Sequence, residues 1–206
     1  MTNQCLATLR GALPLATALA ILGSAQPADA QTPPLFQYSV KFVCGLQRLH
    51  GPNLPGEPAV KPGNYATEIN IHNIQFSAQP VFKSVVLVVK DGEPIGREPR
   101  VQPPTPFVAV AMPPRNAMMD DCNQLWDMAF PGGAAPPNPM PLTIGYLSII
   151  SRVDIDVDAV YTAKSFQPTV GDEVDSPSID VERVLAKRVS TTPAATLALP
   201  KLLKNQ

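Results

Sequence analysis

The sequence predicts an all-β protein, specifically a two-sheet antiparallel sandwich of Greek-key or immunoglobulin-like type with at most one short helix. The chain contains 25 prolines among 206 residues, and proline is excluded from helix interiors and central strands because it lacks a backbone donor. The segments between the proline-rich connections are short and alternate apolar with polar residues, which is typical of half-buried strands. Hydrophobic residues make up 45% of the chain, enough for a genuine core.

The expected strands are justified one by one by their patterns. Residues 36–43 and 65–72 alternate, so each has one core face and one polar face, and residues 153–162 alternate strictly. Residues 81–89 form a nearly continuous apolar run rich in β-branched side chains, which predicts a central strand covered on both faces. The full set of expected strands, in chain order, is 36–43, 65–72, 81–89, 107–112, 142–151, 153–162 and 178–184.

The connections contain the residues that turns require. Pro62-Gly63 and Asp91-Gly92 are turn signals, and residues 131–141 and 164–177 read as loops. Residues 116–130 leave two alternatives open, a strand around 117–122 or a short helix after Cys122.

The first 30 residues have the organisation of a cleavable signal peptide. Arg10 lies in a short polar head, residues 11–22 form an apolar run too short to span a bilayer, and Ala28-Asp29-Ala30 matches a cleavage site. We therefore expect an exported protein, periplasmic or extracellular, with a single sandwich domain at 31–189 and a loose tail at 190–206. No membrane span is expected after signal removal.

The cysteines predict one disulfide. Cys5 leaves with the signal, and Cys44 and Cys122 remain as an even pair in an oxidising compartment. A reactive thiol is the alternative, but the sequence has no C-x-x-C, and neither His50 nor His72 lies in a recognisable cysteine-enzyme signature.

Three aspartates occupy alternate positions of one expected strand, Asp154, Asp156 and Asp158. Their spacing is reminiscent of a calcium loop, but position six is Ala159 rather than glycine, and position twelve is not acidic. On a strand, alternate carboxylates lie about 6–7 Å apart along one face rather than converging on one ion. We interpret the three as a solvated outer face; calcium contacts remain the alternative and would need Asp120 or Asp121 nearby.

His72 shares the polar face of its expected strand with Glu68 and Asn70, and these three residues are weak site candidates. A general base needs a nucleophile or activated water within reach, and the sequence identifies none, so an ordinary surface histidine is the simpler interpretation. No catalytic residues, metal ligands or cofactor are predicted, since zinc, nucleophile-elbow and phosphate-binding motifs are missing from the sequence. A net charge of −1 gives no support for nucleic-acid binding.

Several blocks occur together in order along the chain, and they are YSVKFVCG at 38–45, PGNYATEINIHN at 62–73, DVDAVYTA at 156–163 and SIDVERV at 178–184, with an acidic pair before Cys122. In these blocks the sequence resembles a group of uncharacterised exported bacterial proteins. The resemblance implies one β-rich secreted domain, and it implies no activity and no catalytic residues.

The sequence therefore predicts an exported non-enzymatic domain that binds a protein or surface partner or serves as a structural part. Two alternatives remain, an unrecognised extracytoplasmic hydrolase built around His72 with Glu68 or the aspartates, and a calcium-dependent module. The hydrolase requires a concave pocket around those side chains.

Overall fold

The computed structural model describes residues 34–48, 59–165 and 178–189. The expected signal peptide, His50 and the tail at 190–206 lie outside these ranges. The described elements follow one another as β1 (Leu35–Gln47), β2 (Gly63–His72), β3 (Gln79–Lys90), β4 (Glu93–Pro94), β5 (Val108–Met112), β6 (Ala117–Asp120), α1 (Cys122–Ala129), β7 (Thr143–Ser151), β8 (Asp156–Ser165), β9 (Ser178–Arg183) and β10 (Lys187–Val189).

The strands pair in two antiparallel ladders that share β1. In the first ladder, β3 pairs with β4, β5 and β7, and β1 pairs with β7 and β10. In the second ladder, β2 pairs with β6 and β8, and β8 pairs with β9. Residues 36–44 of β1 pair with β7, whereas residues 45–47 pair with β2, so β1 carries the hydrogen-bonded network from one ladder into the other.

The change of partner along β1 occurs at Gly45. This residue has a φ of +93°, in the left-handed region that favours glycine. A Cβ atom here would collide with the carbonyl oxygen of Pro141, and the next residue, Leu46, donates its N–H to the carbonyl of Met140 over 2.8 Å. Glycine is therefore required both by the backbone conformation and by the close approach of the chain before β7.

Apolar side chains from both ladders fill one main core. Alternation along each strand places these side chains on a common side, and the largest of them that are fully buried include Tyr38, Val40, Phe42, Ile69, Ile71, Val81, Val85, Leu147, Ile149 and Val157. A smaller cluster of Val89, Leu142 and Ile144 lies apart from the main core.

Helix α1 begins directly after β6, so both alternatives for residues 116–130 are partly right. Asp121 is its N-cap and accepts a 2.9 Å hydrogen bond from the N–H of Gln124, which satisfies one of the free amides of the first turn. Leu125 and Met128 are the buried side chains of the helix. Within the described ranges, no helix combines the length and hydropathy that a membrane span needs.

A group of buried contacts, which we name the junction, connects the two ladders near the start of α1. Its covalent part is the Cys44–Cys122 disulfide, with Cα atoms 5.6 Å apart. Beside it, the hydroxyl of Thr67 accepts from the N–H of Val43 and donates to its carbonyl, each over 3.0 Å. The ion pair between Lys83 of β3 and Asp120 of β6 completes the junction at 2.6 Å.

The all-β class, the antiparallel pairing and the single short helix of the described ranges confirm the sequence prediction, as does the Cys44–Cys122 disulfide. Strand β1 joins both ladders into one hydrogen-bonded sheet. The finer expectation, two separate sheets in Greek-key order, is therefore not confirmed and stays a prediction. Each of the seven expected strands has a counterpart. Three very short strands, β4, β6 and β10, were not specifically predicted, apart from the strand alternative around 117–122.

Candidate functional site

The second ladder has one face that packs on the core and one that points away from it. Ile69 and Ile71 of β2, and Val157 and Ala159 of β8, are at most 1% exposed. The residues that alternate with them form what we call the outer face, and its members are Ala66, Glu68, Asn70 and His72 of β2, Asp156, Asp158, Val160 and Thr162 of β8, and Ile179, Val181 and Arg183 of β9.

One end of the outer face is polar. His72 lies directly opposite Asp156, and Asn70 lies directly opposite Asp158; opposite residues in such pairs have Cβ atoms about 5 Å apart. Arg183 lies opposite Asp158 and forms an ion pair with Asp156 over 3.0 Å. Strand pairing thus brings together two groups of sequence candidates that are more than 80 positions apart, and Arg183 neutralises part of their charge.

The other end of the outer face is mostly apolar, with the exposed Glu68 opposite Val160 as its charged member. Val181 lies opposite Val160, and Ile179 lies opposite Thr162. The side chains of Ile179 and Val181 are 67% and 64% exposed, and Ala66 is exposed on the far side of Thr162. This end therefore presents neighbouring aliphatic groups to solvent, whereas isolated exposed aliphatics are ordinary on protein surfaces.

Asp154 does not belong to the outer face, although the sequence groups it with Asp156 and Asp158. It precedes β8 and accepts a 2.6 Å hydrogen bond from the hydroxyl of Tyr38. The same hydroxyl accepts from the N–H of Ile155 over 2.9 Å and lies 2.8 Å from the Ile155 carbonyl oxygen, which shares the single hydroxyl proton with Asp154. Burial, followed by the hydrogen bond to Asp154, raises the pKa of Tyr38 well above its usual range. Asp154 therefore holds the start of β8 against β1.

The core-side surface of β9 is acidic. Asp180 and Glu182 alternate with Ile179 and Val181 and lie opposite Tyr161 and Ala159. Burial raises the pKa of Tyr161 to about 12, and the Glu182 carboxylate adds to the shift. The hydroxyl of Tyr161 also donates to the carbonyl of Lys41 over 3.0 Å, which ties β8 to the middle of β1.

His72 lies beside Asp156 and Asn70 but has no described hydrogen-bond partner for its imidazole. Its imidazole is half-buried on the outer face, and no side chain in residues 34–48, 59–165 or 178–189 hydrogen-bonds to it. Within the same residues, no group of three or more histidine, cysteine or acidic side chains is arranged to hold a metal ion. Of the two carboxylates that calcium contacts would need nearby, Asp120 is engaged by Lys83, and Asp121 caps helix α1.

A groove open to solvent, with a volume of about 260 Å³, lies elsewhere, between the segment that leads into β5 and helix α1. Its lining is mostly apolar and includes Phe107, Val108 and Met128, with Gln124 and Asp127 as polar members. None of the candidate residues lines it, so the groove does not provide the pocket that a hydrolase based on His72 would need.

Comparison with known proteins adds no functional information. No family model matches the chain, and no curated protein matches its sequence. A solved structure described as "Crystal Structure of Thermotoga maritima 1070" aligns with 74% of this chain and 92% of its own, at 8% identity and a TM-score of 0.35. A similarity at this level supports no conclusion about function.

Of the sequence candidates, His72, Asn70, Asp156 and Asp158 lie at the polar end of the outer face, and Glu68 lies opposite Val160. Ile179, Val181 and Arg183 were placed in the expected last strand but were not singled out. The alternation of aliphatic and acidic residues at 179–182 could have indicated them. The same alternation is typical of a half-buried strand, so the sequence alone does not show that both aliphatic side chains are exposed.

Proposed function

We propose that this chain is an exported, non-enzymatic binding domain that presents the outer face of the second ladder to a protein partner. The main support is that Ile179 and Val181 lie side by side on one sheet face and that their side chains are 67% and 64% exposed. A folded domain gains nothing from holding two large aliphatic side chains in water, whereas a partner that covers them gains the hydrophobic free energy of their burial.

The rest of the outer face fits an interface. Protein interfaces combine an apolar centre with a polar rim that supplies hydrogen bonds and fixes the orientation of the partner. Here the aliphatic end adjoins five polar residues that are all half-buried or exposed, His72, Asn70, Asp156, Asp158 and Arg183. In this proposal His72 is a rim residue rather than a general base.

Export is supported by two independent features. Residues 1–30 have the signal-peptide pattern, and the Cys44–Cys122 disulfide is a bond that persists mainly in oxidising compartments. The partner is therefore expected outside the cytoplasm, among periplasmic, extracellular or surface proteins.

Site-specific photocrosslinking in producing cells tests the proposal. A photoreactive phenylalanine analogue is placed at position 66 or 181, on the outer face, and at position 101 as a control, because Val101 is 90% exposed and lies in a connection of the first ladder. We expect one adduct of defined mass from positions 66 and 181 and none from position 101. Adducts from all three positions, or from none, would contradict the proposal.

A second measurement separates binding from catalysis. We expect His72→Gln to leave the adduct at position 66 intact, because glutamine keeps a hydrogen-bond donor and acceptor at the rim. Turnover of an ester, glycoside or phosphoester that disappears in His72→Gln would instead favour the hydrolase and overturn the non-enzymatic part of the proposal.

A further inference from the structure

We propose that the partner docks by adding an extended strand to the free edge of β9, and that this strand alternates apolar residues with lysine or arginine. This inference rests on the proposed function, because it specifies the partner segment that the outer face receives. It is carried by three features of β9, namely its unpaired edge, the direction of its backbone groups and its charge.

In the described part of the chain, β9 pairs with β8 alone and ends the order of strands. All six of its residues are exposed. An unpaired strand edge offers a row of N–H and C=O groups to another chain, which is the basis of recognition by strand addition.

The register identifies which backbone groups are free. Just beyond β9, the N–H of Val184 donates to the carbonyl of Val157 over 2.9 Å, in continuation of the β8–β9 pairing. Hydrogen bonds in an antiparallel ladder alternate along each strand, so Asp180 and Glu182 direct their N–H and C=O groups at β8. The N–H and C=O groups of Ile179 and Val181 therefore point to the open edge, on the same two residues whose side chains are exposed.

The charge of β9 selects the chemistry of the added strand. Asp180 and Glu182 lie on one face of β9, Ile179 and Val181 lie on the other, and neither carboxylate has a described cation as an ion-pair partner. Residues directly opposite each other on paired strands share a face and interact. A strand added here thus places basic residues opposite the two carboxylates and apolar residues opposite the two aliphatics.

The same charges disfavour a second copy of this chain as the occupant. Antiparallel self-pairing centred on residue 180 places Asp180 opposite its own copy. Centring on residue 181 places Asp180 opposite Glu182 instead. Like charges directly opposite each other destabilise a strand pair, and inward-pointing charges are a recognised protection against edge-to-edge association.

Binding of a defined peptide tests the inference directly. The probe is a blocked hexapeptide of alternating lysine and valine, and its comparison is the same peptide with glutamate in place of lysine, both measured by fluorescence anisotropy on the full-length protein. We expect the lysine peptide to bind about tenfold more tightly, with a preference that weakens as salt is raised.

Charge reversal on β9 should reverse the preference. In the double variant Asp180→Lys/Glu182→Lys, we expect the glutamate peptide to become the tighter ligand. The matched control, Glu93→Lys/Asp127→Lys, makes the same change in net charge at exposed positions outside the second ladder and should retain the lysine preference. If the control variant also prefers the glutamate peptide, the preference depends on net charge rather than on β9, and the inference is wrong.

Val181→Pro tests the backbone hydrogen bonds. Proline removes the N–H that points to the open edge and leaves the β8 ladder intact, so the thermal unfolding midpoint should change little while the lysine peptide loses most of its affinity. Val181→Thr keeps the N–H and serves as the control; it should lose much less.

The crosslink at position 66 distinguishes failure of this inference from failure of the proposed function. If Val181→Pro keeps that adduct and binds the lysine peptide normally, the partner lies on the outer face without adding a strand, and only the inference is wrong. If the adduct is never formed and neither peptide binds, both are wrong. A chain dimer in sedimentation that Val181→Pro abolishes would identify a second copy as the occupant and also overturn the inference.

Discussion

The junction and β9 belong to the same hydrogen-bonded network but have opposite distributions of polarity. The junction buries charge, since the side chains of Lys83 and Asp120 are 5% and 2% exposed. Strand β9 exposes aliphatic groups, since Ile179 and Val181 are 67% and 64% exposed. Each arrangement is unfavourable by itself, because an ion loses solvation on burial and an aliphatic side chain loses the benefit of leaving water.

The difference lies in what offsets each cost. In the junction, a short ion pair, a disulfide and the hydrogen bonds of Thr67 all lie within the fold, so the compensation is internal. In β9, no described contact covers Ile179 or Val181. Changes in the junction should therefore alter stability, whereas changes in β9 should alter binding and leave stability nearly unchanged.

The largest effect is expected from removing the disulfide with Cys44→Ala/Cys122→Ala. The two residues are 78 positions apart, and closing a loop of this length stabilises a fold by about 4.5 kcal/mol in the chain-entropy model. Urea unfolding of the variant and of the oxidised wild type measures the loss. A loss below about 1 kcal/mol would show that the junction does not hold the two ladders together.

The buried ion pair should come next. Asp120→Ala leaves the Lys83 ammonium buried without its 2.6 Å partner and should destabilise the fold by about 4 kcal/mol. The double variant Lys83→Met/Asp120→Leu removes both charges and should return to within about 1 kcal/mol of the wild type or exceed it. A double variant as unstable as Asp120→Ala would mean that packing, rather than an unpaired charge, causes the loss.

The features of the fold also differ in how well they can be predicted from the sequence. The alternation of residues 36–43, 65–72 and 153–162 predicts the strands and their core faces, because side-chain direction along a strand is a local property. The pairing of Cys44 with Cys122 follows from the expected oxidising compartment and from the two cysteines that remain after signal removal. Lys83, by contrast, reads as an interruption in an apolar run, and only the fold brings Asp120, 37 positions away, to its ammonium group.

Other features could not be predicted from the sequence, because they depend on contacts between distant residues or on strands too short to show a pattern. The turn of β1 at Gly45 depends on a contact with Pro141, and Asp154 is separated from Asp156 and Asp158 by its hydrogen bond to Tyr38. Strands of two to four residues, such as β4, β6 and β10, are too short to show a period. The sequence predicts only part of the candidate site. Its polar end follows from the alternation along the strands, whereas its apolar end depends on which side chains the fold leaves exposed.

Tyr38→Phe extends the test to a second buried connection between the ladders. The change removes the acceptor of the Ile155 N–H and the donor to Asp154, and leaving a buried donor unsatisfied costs about 2 kcal/mol. Tyr65→Phe is the control, because the hydroxyl of Tyr65 makes an exposed hydrogen bond to the carbonyl of Lys61. Equal losses in the two variants would contradict a special role for Tyr38.

Alkaline pH should weaken the contact between β8 and β1. The pKa of Tyr161 is raised from 10.0 to about 12 by burial and by Glu182, so the folded state favours the protonated phenol more than the unfolded state does. The stability gained in this way is complete below pH 10 and is lost as the pH rises from 10 to 12. Urea midpoints between pH 8 and 12 should therefore fall less steeply in Tyr161→Phe than in the wild type, and parallel curves would contradict the assignment.

The smallest effect is expected from Val181→Thr, and it distinguishes the two faces of the second ladder most directly. Threonine keeps the β-branched shape that favours strands, so on an exposed face the change should alter the free energy of unfolding by less than about 0.5 kcal/mol. The same substitution at Val157, which is 1% exposed, places a hydroxyl in the core and should cost about 2 kcal/mol. Both variants make the same chemical change, one on the outer face of the edge strand β9 and one on the core face of its neighbour β8, so urea unfolding of both compares the two faces. If Val181→Thr were as costly as Val157→Thr, the outer face would be a core face covered by the chain itself, and no aliphatic surface would remain for a partner.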